Sequence, residues 1–271
     1  MKPELQQKYD RLRQILAEMA GAVIAYSGGV DSTLLLSVAH EVLGDRVLAV
    51  TAFSELYPTG EGEAALELAR SLGVRITTIK TSELGIEHFA DNPPERCFYC
   101  KSELFSRLQD LAKAHALPFV ADGSNADDLS DHRPGRQAAV DLGVRSPLME
   151  AGLTKQDIRD LSKARGLPTW DKPSLACLAS RFPYGHRITP EKLQQVGQAE
   201  TFLRQQGFAQ VRVRHHGDTA RIEVEPDEIP RFLDDDLRRR VVDRLRELGF
   251  IYVTIDLQGF RSGSMNEALE E

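Results

Sequence analysis

The sequence predicts an α/β fold: a parallel sheet with helices on both faces, followed by a smaller α+β domain. Three observations carry this. Short apolar runs alternate with stretches of helical periodicity through the first two thirds of the chain. The first such run leads through two glycines directly into a helix. After residue 175 the pattern changes to helix–strand–strand–helix–strand, and the basic residues become almost all arginine, 13 Arg against one Lys.

The elements follow in order. Residues 3–20 read as a polar helix, because Leu5, Tyr9, Leu12, Leu16 and Met19 recur at helical spacing. Residues 22–26 (AVIAY) are a short apolar run typical of a buried parallel strand. A helix follows over 32–43, a strand over 46–53, a helix over 61–72 closed by Gly73, and a strand over 75–80. Residues 101–115 predict a helix and 117–121 the strand after it. In the second part, 197–206 reads as a helix. Segment 209–214 alternates, with Val211 and Val213 on one face, and 221–225 alternates with Ile222 and Val224 apolar. Residues 234–248 form an Arg- and Asp-rich helix and 250–257 a last strand. The expected domains are 1–175 and 176–271, with an acidic tail at 264–271.

Composition narrows the function classes. The chain has 271 residues, is 41% hydrophobic and carries a net charge of −7. The parts before and after residue 175 carry −5 and −2. Neither suits a nucleic-acid coat, which wants a basic surface. No apolar run approaches the ~18–20 residues of a membrane span, and residues 1–20 lack a signal-peptide core. Three cysteines do not make a disulfide scaffold, so the expected compartment is the cytoplasm.

The strongest chemical signal is Ser27-Gly28-Gly29-Val30-Asp31-Ser32, between a strand and a helix. The glycines permit a tight turn and close approach to a phosphate. Ser27 and Ser32 add hydroxyl donors, and the helix offers its first amides to an anion. A carboxylate at Asp31 makes sense there if it holds a Mg²⁺ that phosphates also bind. The chain has no GxxxxGK[ST] loop. Asp122-Gly123-Ser124-Asn125-Ala126-Asp127-Asp128 follows a strand too, which puts it on the same edge of the sheet.

Cys97 and Cys100 form a CxxC, close enough for one metal or one disulfide; a redox pair is the alternative. Cys177 lies far off in PSLACLASRFPYG. No histidine has finger spacing, whereas three thiolates suit a [4Fe–4S] cluster with one iron left for an external ligand such as hydrosulfide. Arg181, four residues after Cys177, is the first candidate to dock an anionic substrate, ahead of Arg212, Arg214 and Arg261. Arg212 and Arg214 share a strand face. Glu200 and Glu223 are weaker candidates for metal binding or substrate positioning, and Glu191 reads as a first-turn acid after Pro190.

SGGVDS resembles the PP-loop of the ATP pyrophosphatases, whose adenine-nucleotide alpha-hydrolase-like domain splits ATP between its α- and β-phosphates. That resemblance implies ATP and Mg²⁺. It places Ser27, Gly28, Gly29, Asp31, Ser32, Thr51 and Asn125 at the nucleotide and Asp31 and Asp128 at the metal. With PSLACLASRFPYG, GSNADD and the C-terminal GFRSGSMN, the chain resembles the LarE family from about Ile15 to Asn266. These sulfur transferases build the nickel-pincer cofactor of lactate racemase. They adenylate the carboxylates of pyridinium-3,5-biscarboxylic acid mononucleotide, release AMP and pyrophosphate, and install sulfur. One branch sacrifices a single cysteine, matched here by Cys177, and lacks the CxxC. This chain has the CxxC, so it resembles the branch whose Cys97, Cys100 and Cys177 hold a [4Fe–4S] cluster carrying an extra sulfide. Cys177, Cys97, Cys100, Asp31 and Arg181 then form the catalytic set, with Ser180, Arg181, Arg212, Arg214 and Arg261 on the substrate phosphate. The resemblance also implies a sulfide source as partner and a homo-oligomer, with a hexamer plausible. A tRNA-thiolating enzyme of the same superfamily would want a basic patch or more CxxC pairs, and an ammonia-using amide ligase would need no third cysteine near the adenylate.

Overall fold

The computed structural model describes residues 2–58, 60–129, 134–173, 176–261 and 263–264. The expectations for the tail beyond 264 lie outside the described residues. The chain forms two compact units. The first comprises the described residues of 1–54, 59–82 and 95–175; the second takes 55–58 and 83–94 along with the described residues from 176 onward.

The first unit is an α/β layer structure, as the alternation predicted. In chain order it contains α1 (Pro3–Met19), β1 (Ala22–Ala25), α2 (Val30–Leu43), β2 (Val47–Phe53), α3 (Glu61–Ser71) and β3 (Ile76–Lys80). Then come α4 (Arg96–Ala114), β4 (Phe119–Ala121), α5 (Pro134–Asp141), α6 (Pro147–Glu150) and α7 (Lys155–Ala164). The sheet order is β3-β2-β1-β4, and every pairing is parallel. Apolar side chains fill both faces, as a doubly covered sheet requires. Ala22 and Ile24 of β1 pack with Leu12, Leu16 and Met19 of α1, Leu34 and Leu35 of α2, and Ile158 and Leu161 of α7. Val23, pointing the other way, packs with Leu48, Val50, Phe105 and Leu108. Leu12 and Leu16 are fully buried, so truncating either to Ala is expected to cost about 2–5 kcal/mol.

The second unit contains α8 (Pro190–Gln205), β5 (Val211–His216), β6 (Thr219–Val224), α9 (Asp235–Glu247) and β7 (Tyr252–Ile255). Its sheet order is β5-β6-β7, antiparallel between β5 and β6 and parallel between β6 and β7. The element order is the one the sequence predicted.

Two helix starts and one region differ most from expectation. Helix α8 begins at Pro190, because Thr189 caps it by accepting from the Lys192 amide and Pro suits the first turn. Helix α4 begins at Arg96, so the CxxC lies on its first turn and not ahead of it. Helices α5 to α7 were not anticipated. Yet α7 carries a capping box that the sequence displays: Thr154 accepts from the Asp157 amide while Asp157 accepts from the Thr154 amide.

Candidate active site

The loop after β1 is held open by its own side chains. Ser27 Oγ lies 3.1 Å from Ser32 Oγ, the Gly29 amide donates to Ser27 Oγ at 3.4 Å, and Ser32 Oγ donates to the Gly29 carbonyl at 3.3 Å. Gly28 has φ +69°, and a Cβ there would sit 2.8 Å from the Ala65 Cβ of α3. Both the left-handed backbone and the close approach of α3 therefore require glycine. Gly29 is the extended N-cap of α2, with Asp31 in the first turn. Thr51, at the end of β2, donates to the Tyr26 carbonyl at 3.0 Å and ties the loop's start to the sheet edge.

The loop after β4 lies against this one. A Cβ on Gly123 would come within 3.0 Å of the Ser32 amide nitrogen. Asn125 Nδ2 donates to Asp31 Oδ1 at 3.2 Å, and the Asn125 amide donates to the buried Asp128 carboxylate at 2.9 Å. Asp122 accepts from the Ser124 and Ser146 hydroxyls at 2.7 and 2.8 Å, which fixes the loop's entry. Ser27, Gly28, Gly29, Asp31, Ser32, Asn125 and Asp128 thus gather at the carboxyl edge of the sheet, where open parallel sheets bind ligands.

Two residues here were not singled out by sequence. Lys155, the first residue of α7, forms an ion pair with Asp31, and its amide donates to Asp127 at 2.9 Å. Lys172 donates to the Gly28 carbonyl at 3.2 Å and to Glu61 at 3.0 Å. The Thr154–Asp157 capping box was the available signal for Lys155, since it puts that lysine at a helix start. Nothing in the sequence pattern marks Lys172.

Cys97 and Cys100 stand three apart on the first turn of α4, on one helix face, both half-buried. Cys177 belongs to the second unit, where it is the half-buried N-cap of a short 3₁₀ turn, Leu178–Arg181. Among the described residues no group of three or more His, Cys, Asp or Glu side chains is gathered as a metal ion would need.

In the second unit the arginines singled out by sequence are engaged with other groups of the protein. Arg181 is fully buried, and its fork is taken by Glu200: Nε and Nη2 donate to the two carboxylate oxygens at 2.7 and 2.9 Å. Its Nη1 donates to the Ala176 carbonyl at 2.9 Å and to Ser180 Oγ at 2.8 Å, with the Cys177 carbonyl 3.1 Å away. The fork is thus paired within the protein, and Arg181 holds the turn that carries Cys177. Glu200 and Glu223 are the carboxylates of these pairs. Glu200 also accepts from the Val213 amide at 3.0 Å and from Arg204 at 2.9 Å. Burial opposes its charge most, but Arg181, Arg212 and Arg204 together hold the carboxyl below the usual range. Glu223 accepts a two-point bond from Arg214 at 2.9 and 2.7 Å and a third from Arg221 at 3.0 Å. Both carboxylates serve guanidinium groups.

Arg212 and Arg214 are both 4% exposed, not on a solvated face. Arg214 Nη1 donates to the Ser180 carbonyl at 2.7 Å, a second tie to the Cys177 turn. Arg212 stacks on Phe260 at 5.2 Å, and burial, with the neighbouring Arg181 charge, pulls its pKa to about 10. Arg261 is half-buried and pairs with Asp256 at 3.7 Å. Ser180 Oγ donates to the Cys177 carbonyl at 2.9 Å. Glu191 lies in the first turn of α8, as expected, with its pKa lowered by the Thr189 hydroxyl.

The NAD synthase family model matches residues 4–98. The chain is 47% identical over 98% of its length to an uncharacterised protein of Synechocystis sp., covering 99% of that protein. It is 29% identical to an uncharacterised protein of Methanocaldococcus jannaschii, over 89% of this chain and 90% of that one. It is 43% identical to the pyridinium-3,5-bisthiocarboxylic acid mononucleotide synthase of Lactiplantibacillus plantarum, over 94% of this chain and 92% of that one. A likeness of that depth and coverage fixes the family: the chain belongs to the LarE family of PP-loop enzymes.

Proposed function

We propose that this enzyme uses ATP to adenylate the carboxylates of pyridinium-3,5-biscarboxylic acid mononucleotide and replaces their oxygen by sulfur, in the biosynthesis of a nickel-pincer cofactor. The observation that carries the reading is the paired loops at the carboxyl edge of the first sheet, where Asn125 and Lys155 both hold Asp31. A carboxylate is a poor electrophile because its leaving group would be oxide. Transferring its oxygen to the α-phosphorus of ATP makes that oxygen part of AMP, and pyrophosphate leaves. The donors able to stabilise the developing charge are the first amides of α2 and the hydroxyls of Ser27 and Ser32. Asp31 and Asp128 are the carboxylates that would hold Mg²⁺, which neutralises the triphosphate when bound. Thr51, at the end of β2, suits the nucleoside side.

The sulfur step is assigned to the cysteines. Their donor chemistry fits iron–sulfur ligation: three half-buried thiols, two of them on one helix turn. Cys97, Cys100 and Cys177 would hold a [4Fe–4S] cluster, which when bound supplies a transferable sulfide. Arg181, Arg214 and Ser180 set the position of Cys177 through its turn. Of the arginines expected at the substrate phosphate, Arg261 keeps the most exposure and is the first choice for that contact. The first domain, 1–175, adenylates; the second, 176–271, binds substrate and joins copies into a homo-oligomer, a hexamer in the simplest arrangement, acting in the cytoplasm with an external sulfide source and without nucleic acid.

The test is anaerobic incubation with the biscarboxylic mononucleotide, ATP, Mg²⁺ and sulfide, read by mass spectrometry. One sulfur-for-oxygen exchange at each carboxylate, over repeated turnovers, is expected. Cys97→Ala and Cys100→Ala should each lose iron and activity. A single turnover that removes one H₂S equivalent from Cys177 in iron-replete protein would replace the cluster by a sacrificed cysteine.

A further inference from the structure

We infer that Lys172 is a ligand for the pyrophosphate part of ATP, held ready across the phosphate loop by α7. This rests on the ATP reading above. A loop that takes a triphosphate needs cations, and its neighbours here are largely acidic: Asp31, Glu61, Asp122, Asp127 and Asp128. Among the described residues, two lysines bond to this loop, and they are not equivalent. Lys155 is paired with the Asp31 carboxylate, one residue before Ser32. Lys172 spans the loop's other end, where its ammonium meets the Gly28 carbonyl at 3.2 Å and Glu61 at 3.0 Å.

An ammonium carries three N–H donors. Two of those on Lys172 have acceptors, and the side chain is 26% exposed, so one donor remains for an oxygen arriving from solvent. The Gly28 carbonyl that it touches belongs to the residue whose backbone must approach the phosphate. A phosphate oxygen can therefore join Lys172 without displacing either present partner. The lysine's own backbone is fixed independently: Arg159, one turn into α7 from Lys155, donates to the Trp170 carbonyl at 2.9 Å and to the Lys172 carbonyl at 3.1 Å. The Lys172 amide closes a turn on the Thr169 carbonyl at 3.1 Å. Helix α7 thus supplies Lys155 directly and Lys172 through Arg159. An ammonium pre-positioned in this way loses little side-chain entropy on binding.

The rival account is structural: Lys172 pairs with Glu61 only to hold α3 against the loop. The two accounts separate on Glu61, whose carboxylate would stabilise a structural pair but repel a phosphate. Isothermal titration of the full chain with ATP and Mg²⁺, with pyrophosphate and Mg²⁺, and with AMP tests this in wild type, Lys172→Ala and Glu61→Gln. Melting temperatures establish that each variant is folded, and Lys172→Gln, neutral and of similar shape, serves as a second variant should the Ala chain fail to fold. Lys172→Ala is expected to weaken ATP and pyrophosphate about tenfold or more, the size of a charge-assisted hydrogen bond, and to leave AMP unchanged. Glu61→Gln is expected to leave ATP affinity unchanged or raise it. Lys172→Arg is expected to retain part of the pyrophosphate affinity. Equal ATP affinity in wild type and in folded Lys172→Ala or Lys172→Gln would overturn the role of Lys172 while the ATP reading stands. Wild-type protein that binds no ATP would overturn both.

Discussion

The two units use the same kinds of charged residue to opposite ends. In the first, Lys155, Lys172, Asp31 and Glu61 surround a glycine turn, and each side chain keeps between 21% and 33% of its surface in water. In the second, Arg181, Arg214, Glu200 and Glu223 are at most 5% exposed, and each guanidinium meets its carboxylate at two points. Partly wet pairs are weakly held and can be exchanged for a ligand. Dry, doubly bonded pairs cannot be exchanged, because removing one partner strands a buried charge. The first arrangement suits a site that must accept and release a polyphosphate. The second suits a scaffold that holds one turn, the one bearing Cys177, in a fixed shape.

That contrast can be broken most sharply at Asp31. Asp31→Ala is expected to abolish pyrophosphate release while the thermal unfolding temperature stays within a few degrees of wild type, as removal of a wet pair costs about 1 kcal/mol or less. Activity retained in this variant would remove Asp31 from the metal and phosphate site.

The opposite response is expected in the second unit. Arg181→Ala should destabilise it by about 3–5 kcal/mol, since Glu200 would be left buried without its fork. Urea unfolding of the variant measures this, and Arg181→Lys should recover only part, because an ammonium cannot bond both oxygens in plane. A variant of wild-type stability with impaired substrate affinity would restore the docking role that the sequence suggested for Arg181.

A third change tests the loop's backbone. Gly28→Ala forces a Cβ into Ala65 at a left-handed φ, and about 1–3 kcal/mol of strain is expected. Because α3 must shift to relieve it, ATP affinity should fall as well, which titration will show. Unchanged affinity and stability would mean that the loop adapts freely.

The smallest effect expected is a pH dependence confined to the second unit. Burial, with the nearby positive charges of Lys192 and Arg221, lowers the pKa values of His215 and His216 from the ordinary 6.5. His215 sits among Phe182, Phe250 and Gln195. The folded state keeps both rings neutral, whereas the unfolded chain takes up protons below its ordinary pKa. Their contribution is therefore complete above pH 6.5 and is lost as pH falls below it towards the folded-state values. Urea midpoints from pH 7.5 to 5 measure this, and His215→Gln should flatten the slope. An unaltered slope in that variant would assign the dependence to other groups.

How much of this was legible in the sequence depends on the length scale. The strands β1 to β3 and the loop at 27–32 were readable because their signals are local: an apolar run, two glycines and a helix start within ten residues. The α5–α7 region was not anticipated: α6 is a single turn, while α7 does carry local signals, a capping box and Ile158 and Leu161 at helical spacing. Arg181 shows the harder limit. A sequence reveals that an arginine lies four residues from a cysteine, but not that Glu200, on another helix, has already taken its fork. Lys172 is the converse case: its importance rests on Gly28, far away in sequence, and on Arg159, which fixes its backbone. The CxxC was visible, but its place inside α4 depended on where that helix begins.

The most direct test of the account is the fate of ATP. Anaerobically prepared enzyme, given the pyridinium biscarboxylic mononucleotide, ATP and Mg²⁺, should yield AMP and pyrophosphate in equal amounts and only when the carboxylate substrate is present, as chromatography of the nucleotides will show. ADP and orthophosphate as the products would contradict adenylation and, with it, the function assigned to the loops that hold Asp31.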